Sequence, residues 1–248
     1  MNYKEYGTQN NDVIILLHGG GLSWWNYQEE AEILQKEYHV IIPILDGHAE
    51  SDRSFTTIEN NAAEIISFID EKFGGSVLMI GGLSLGGQIL LDILSQRGNI
   101  CQYAVVESAL VEPSRFIYSM IKPAIGSCYS LIQHQWFSKL QFKQLRIKQE
   151  LFDDYYRDTC AITKQNMISF LQSNSLYSLK DFIRNCSAKT FIYVGGKENH
   201  AMQTSARIIH ETLQGSSLQV FPRLYHGEFS INKANDYINE VYRIIRNC

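Results

Sequence analysis

The sequence predicts an α/β fold: a mostly parallel sheet flanked by helices, in one domain interrupted once by an all-helical insertion. Three observations carry this. Short apolar runs alternate with longer runs of helical period, as parallel strands joined by crossover helices do. The 248 residues are 45% hydrophobic, enough for one domain with a sizeable core. The alternation fails once, from about Glu112 to Ser187, where no run has strand quality.

Taken in order, Tyr3 to Tyr6 reads as a short first strand and Val13 to Leu17 as a wholly apolar second one. Helical period over Gln28 to Lys36 precedes a β-branched strand, Tyr38 to Ile44. Ile58 to Phe73 is a helix stopped by Gly74-Gly75. The strand Val77 to Ile80 leads into Gly82-Leu83-Ser84-Leu85-Gly86-Gly87, and a helix from Gln88 runs to about Arg97. Gly98-Asn99 turns the chain into the strand Tyr103 to Val106. Within the insertion, Phe116, Ile117, Met120 and Ile121, then Trp136, Phe137 and Leu140, then Phe152, Tyr155 and Tyr156, then Ile168 and Leu171 mark several amphipathic helices. The βα pattern resumes with the strand Thr190 to Val194, a helix from Met202 to Leu213, the strand Leu218 to Phe221 and a last helix from Ile231 to Ile245. The expected division is a core of residues 1–111 and 188–248 with an insertion over 112–187.

The chemistry-bearing motif is Gly82-x-Ser84-x-Gly86 on a strand-to-helix turn, a nucleophile elbow. Such a turn lifts the serine hydroxyl above the sheet, and its sharpness leaves no room for Cβ atoms at the flanking glycines. The helix start aims backbone N–H groups at the place where an acyl oxyanion forms. Upstream, His18-Gly19-Gly20-Gly21 follows the second strand; downstream come an acid and a histidine, in the order Ser, acid, His. At these residues the chain resembles the α/β-hydrolase superfamily, in particular its lidded serine esterases and lipases, from about Val13 to the C-terminus. Asp46-Gly47-His48-Ala49-Glu50-Ser51-Asp52 adds to the resemblance and supplies no catalyst; His48 is expected to be a structural, hydrogen-bonded histidine.

The resemblance implies the roles. Ser84 is the nucleophile. His226, in the loop Leu224-Tyr225-His226-Gly227 after the last strand, is the base. Glu198 lies three residues beyond Gly195, where the superfamily more often has Asp, and is the acid; Glu107, at the end of the strand Tyr103 to Val106, is its rival. The N–H groups of Leu85 and Gly20 form the oxyanion hole, and His18 braces their loop. The insertion, placed after a sixth strand, acts as a helical cap, with Phe116, Trp136 and Phe137 as pocket residues.

The implied activity is acyl-enzyme hydrolysis, most simply of a small to medium apolar carboxylic ester, with no metal and no cofactor. Thioesterase, amidase, carbon–carbon hydrolase and acyltransferase readings use the same constellation, and a non-catalytic small-molecule receptor can keep it. The H-G-G-P-G pattern of proline iminopeptidases is not matched, since Gly21 and Leu22 hold its last two places. A net charge of −4 argues against nucleic acid or acidic membranes as the main partner. No run approaches the roughly 20 apolar residues of a membrane span. Met1 to Asp12 lacks the basic and apolar regions of a signal peptide. Cys101, Cys128, Cys160, Cys186 and Cys248 are odd in number, scattered and without a C-x-x-C, so a reduced, cytoplasmic setting is expected.

Overall fold

The computed structural model describes residues 1–247; Cys248 lies outside the described residues. Seven strands form one sheet: β1 (Tyr3–Tyr6), β2 (Val13–Leu17), β3 (His39–Pro43), β4 (Val77–Leu83), β5 (Cys101–Glu107), β6 (Lys189–Gly195) and β7 (Ser217–Phe221). Their order is β1-β3-β2-β4-β5-β6-β7. Among the described residues only β1 runs antiparallel, on β3. Both faces of the central strands are buried, which is why they read as continuous apolar runs. In β2, Val13, Ile15 and Leu17 pack into one core and Ile14 and Leu16 into the other, as the two-residue period of a strand requires.

On the first face lie α2 (Ile58–Phe73), α3 (Leu85–Gln96) and α8 (His200–Thr212); on the second lie α1 (Gln28–Leu34) and α10 (Ala234–Asn247). Local chemistry sets several ends. Thr57 caps α2 by accepting from the Asn60 N–H, and Gly74, at φ 68°, closes it in the left-handed region. Asn199 caps α8 through the Met202 N–H. The expected last helix divides in two, α9 (Glu228–Asn232) and α10, because the backbone leaves helical geometry at Lys233 (φ −127°, ψ 44°).

Between β5 and β6 the described chain is helical, as the sequence predicts: α4 (Arg115–Cys128), α5 (Gln135–Leu145), α6 (Phe152–Ala161) and α7 (Lys164–Leu176), with short 3₁₀ turns between them. One detail differs. This segment follows the fifth strand and not a sixth. Residues 7–12, between β1 and β2, are too few for another paired strand and its turns. Side-chain bonds tie the segment to the sheet layer. Trp25 Nε1 donates to Asp158 Oδ2 (2.9 Å), the Phe55 N–H to Asn166 Oδ1 (3.2 Å) and Gln88 Nε2 to the Asn174 carbonyl (3.0 Å).

Candidate active site

β4 runs straight to Leu83, and α3 starts at Leu85, so Ser84 alone makes the turn, at φ 53° and ψ −111°. Few non-glycine residues adopt a positive φ, and the strain is held by neighbours. The Ser84 N–H donates to the Glu107 carbonyl (2.8 Å), and its own carbonyl accepts from Gln88 (2.9 Å). A Cβ at Gly82 would overlap the backbone of Gly86, and one at Gly86 would overlap the Leu17 carbonyl at the exit of β2. The glycines thus admit both the fold-back and the neighbouring strand.

Glu198 and His226 stand on the loops that leave β6 and β7. A Cβ on Gly195 would overlap the Leu224 carbonyl, so glycine there lets these two loops touch. The result is a bond between His226 Nδ1 and Glu198 Oε2 of 2.7 Å. Glu198 Oε1 accepts from the Ser108 hydroxyl (2.7 Å) and the Gly195 N–H (2.7 Å). The carboxylate is 2% exposed, while the His226 side chain is 44% exposed. Burial alone would raise the pKa of Glu198; the bonds from His226, Ser108 and Gly195 outweigh it and hold the group below the ordinary glutamate value. Glu107 is also buried, but its Oε1 accepts from the Ser230 N–H (3.3 Å) and not from His226. Burial pushes its pKa up to about 7.

The loop after β2 is held from both sides. The Gly19 N–H donates to Asn26 Oδ1 (3.1 Å) and the Gly21 N–H to His48 Nε2 (3.0 Å). Among the described residues the Gly20 N–H, between them, has no hydrogen-bond partner, nor does the N–H of Leu85 at the start of α3. His18 accepts the Leu45 N–H at Nε2 (3.2 Å), which leaves Nδ1 to donate to the Gly19 carbonyl (3.0 Å). Both histidines are buried, and burial pulls their pKa values down, to about 3 for His18 and about 4 for His48. They are neutral struts of the loop.

Ser84, His226 and Gly20 open on one cavity of about 270 Å³. No hydrogen bond joins Ser84 to His226 among the described residues. Residues of the helical segment, among them Ile125, Ile132, Leu145, Met167 and Phe170, make the rest of the wall predominantly apolar. Phe170 also stacks on His48, ring centres 4.8 Å apart.

The expected pocket residues are a correction. Phe116, Trp136 and Phe137 do not line this cavity. Phe116 and Trp136 are 76% and 61% exposed, and Phe137 packs half-buried against the core. Helical spacing identifies an apolar stripe; which side faces inward depends on how the helix docks. Ser108 and Asn26 carry no signal in the sequence. Neither belongs to a motif, and each matters through a contact made only on folding.

A sheet of this order with a strained serine at the exit of β4 belongs to the class of α/β hydrolases. Within that class, the family described as serine aminopeptidase, S33 (Hydrolase_4) matches residues 8–230, and this chain is a member of it. Solved structures of similar fold include a thermophilic esterase from Thermogutta terrifontis, with TM-score 0.80, 15% identity, and 99% of this chain and 93% of that one covered. An esterase from Exiguobacterium antarcticum gives TM-score 0.81 at 17% identity, covering 98% of this chain and 94% of that one. The enol-lactonase from Burkholderia xenovorans gives 0.80 at 13%, covering 98% and 95%. At these identities the likeness is one of fold.

Proposed function

We propose that this α/β hydrolase is a carboxylic-ester hydrolase working through Ser84, His226 and Glu198. The observation that carries this reading is the 2.7 Å His226–Glu198 pair, whose His226 opens with Ser84 on a single apolar cavity. Ser84 attacks the ester carbonyl as His226 Nε2 takes the hydroxyl proton and passes it to the leaving alcohol. Glu198 fixes the tautomer with the proton on Nδ1 and stabilises the imidazolium. The unclaimed N–H groups of Gly20 and Leu85 receive the oxyanion. Water, activated by His226, then releases the acid. A serine and base that bond only once substrate is bound are common among such enzymes. Residues 112–187 serve as the cap, supplying the apolar wall that takes the acyl or alcohol group.

The family description names an aminopeptidase. A substrate with a free α-ammonium group calls for a carboxylate in the pocket wall, and among the described residues no Asp or Glu lines this cavity. An uncharged ester suits the wall better. The test is a panel of p-nitrophenyl esters of increasing chain length, run beside a fluorophosphonate probe. One adduct on Ser84, with turnover of at least one ester and loss of both in Ser84→Ala, is the expected result. An adduct mapped elsewhere removes Ser84 from its role. Labelling without ester turnover points to an amide or unusual acyl substrate, and neither signal to a binding protein.

A further inference from the structure

The net charge of −4 averages over a segregated distribution. Between Glu112 and Glu150 there is no acidic residue, yet Arg115, Lys122, Lys139, Lys143, Arg146 and Lys148 all fall there. This stretch folds into α4, the 3₁₀ turn Tyr129–Gln133 and α5, and each helix packs on the turn between them. Lys148 pairs with Glu29, while Lys139 and Arg146 lie over the rings of Phe152 and Tyr225. Arg115, Lys122 and Lys143 have no ion pair among the described residues. The net negative charge of the whole chain is therefore no bar to this basic face meeting an acidic surface.

The same helices turn apolar side chains to solvent. In α4, Ile117 and Met120 are 49% and 50% exposed beside the still more open Phe116, and the helix fully buries none of its residues. In α5, Leu140 is 54% exposed beside Trp136. Phe116 and Met120 are one turn apart, as are Trp136 and Leu140, so each pair forms a stripe along its helix. Lys139 and Lys143 each follow a member of the second stripe by three residues. Aromatic and aliphatic stripes beside cations, with no acid among them, mark helices that lie in the headgroup region of an anionic bilayer. An exposed patch of this kind on a folded protein marks an interaction site.

We propose that the outer face of α4 and α5 docks this protein on an anionic phospholipid bilayer. Phe116, Met120, Trp136 and Leu140 enter the boundary between headgroups and acyl chains, and the lysines and arginines meet lipid phosphates. The opposite sides of the same helices carry Ile125 and Leu145 of the cavity wall, so docking sets the roof of the cavity against the lipid.

The test is flotation of the full chain with phosphatidylcholine vesicles, with and without phosphatidylglycerol, at low and high salt. Binding is expected only with phosphatidylglycerol, and is expected to vanish at high salt. A basic residue near such a surface contributes roughly fivefold in affinity, so Lys122→Gln with Lys143→Gln should weaken binding about 25-fold. Phe116→Ser with Trp136→Ser should abolish flotation, with circular dichroism reporting retention of the fold. Should the serine pair unfold, the glutamine pair decides. Absence of flotation, equal flotation on both vesicle types, or unchanged binding in the glutamine pair overturns the proposal. So does a finding that the wild type self-associates through these residues and ignores vesicles. The readout needs no turnover: vesicle binding without Ser84 labelling keeps the docking face and defeats the hydrolase reading, and the converse does the opposite.

Discussion

Ser84 carries a backbone cost at the elbow, where the proposed chemistry needs its hydroxyl. At φ 53° its Cβ crowds the chain, and only glycine escapes that. Ser84→Gly is therefore expected to be more stable than Ser84→Ala by about 1 kcal/mol, with both inactive. Denaturation midpoints measure this, and an equal or lower midpoint for the glycine variant removes the strain argument. Glu198 and Glu107 separate in the same manner. Glu198→Gln should lower kcat by about 10⁴ without unfolding the protein, because the imidazolium loses its carboxylate. Glu107→Gln should cost far less; the opposite ranking in folded variants moves the acid to Glu107. Glu107 also has a pH signature. Its folded pKa, about 7, is above the ordinary glutamate value, so the native state retains a proton that the unfolded chain has released. The stability this group contributes is full at low pH and is lost as pH rises through about 7. Glu107→Gln removes that loss, so the variant should gain on the wild type by on the order of 2–3 kcal/mol between about pH 5 and about pH 8. Urea midpoints at both pH values check it, and a constant difference contradicts it.

At the scale of elements, α4 to α7 form the cavity wall through their inner sides alone. Ile132, in the turn between α4 and α5, and Met167, on α7, line the cavity, whereas Trp136 faces solvent. Ile132→Ala and Met167→Ala should each move ester preference toward longer chains by widening the wall. Trp136→Ala should leave chain-length preference on soluble esters as it was. kcat/KM across the ester panel decides, and the reverse pattern places the pocket on the other side of α5. Trp25, ahead of α1, bonds the buried carboxylate of Asp158 on α6. Trp25→Phe keeps the ring and removes that donor, so it should destabilise the fold by about 1–3 kcal/mol. An unchanged unfolding midpoint would make this tie between layers dispensable.

For the whole molecule, the question is whether residues 112–187 behave as a separate unit. Asp158, Asn166 and Asn174 all bond to the sheet layer, and Phe170 stacks on His48 beneath the cavity. Met167, Phe170 and Tyr177 also belong to the same continuous core as α2 and α3. Segments sharing a core and buried bonds unfold together. A single transition is therefore expected, superimposable by far-ultraviolet circular dichroism and by tryptophan fluorescence, which samples Trp136 in the segment and Trp24 and Trp25 beneath it. Two resolved transitions would make residues 112–187 an independent domain.

The sequence alone determined the elements and the order of the motifs. Apolar strands and amphipathic helices follow from local periodicity, and the elbow follows from Gly82, Ser84 and Gly86, whose constraint acts within a few residues. Ser84, His226 and Glu198 were legible as candidates because each lies in a loop or turn just beyond a strand. The tertiary structure decided everything that depends on facing. It set Glu198 and not Glu107 against His226 Nδ1, left Gly20 as the unclaimed donor of its loop, and turned Phe116 and Trp136 away from the cavity. It also gathered Arg115, Lys122, Lys139 and Lys143, spread along the chain, onto two helices that pack on one turn. Periodicity fixes which residues share a side of a helix; which side is buried is settled by packing against chain far away in sequence, and local pattern holds no record of that.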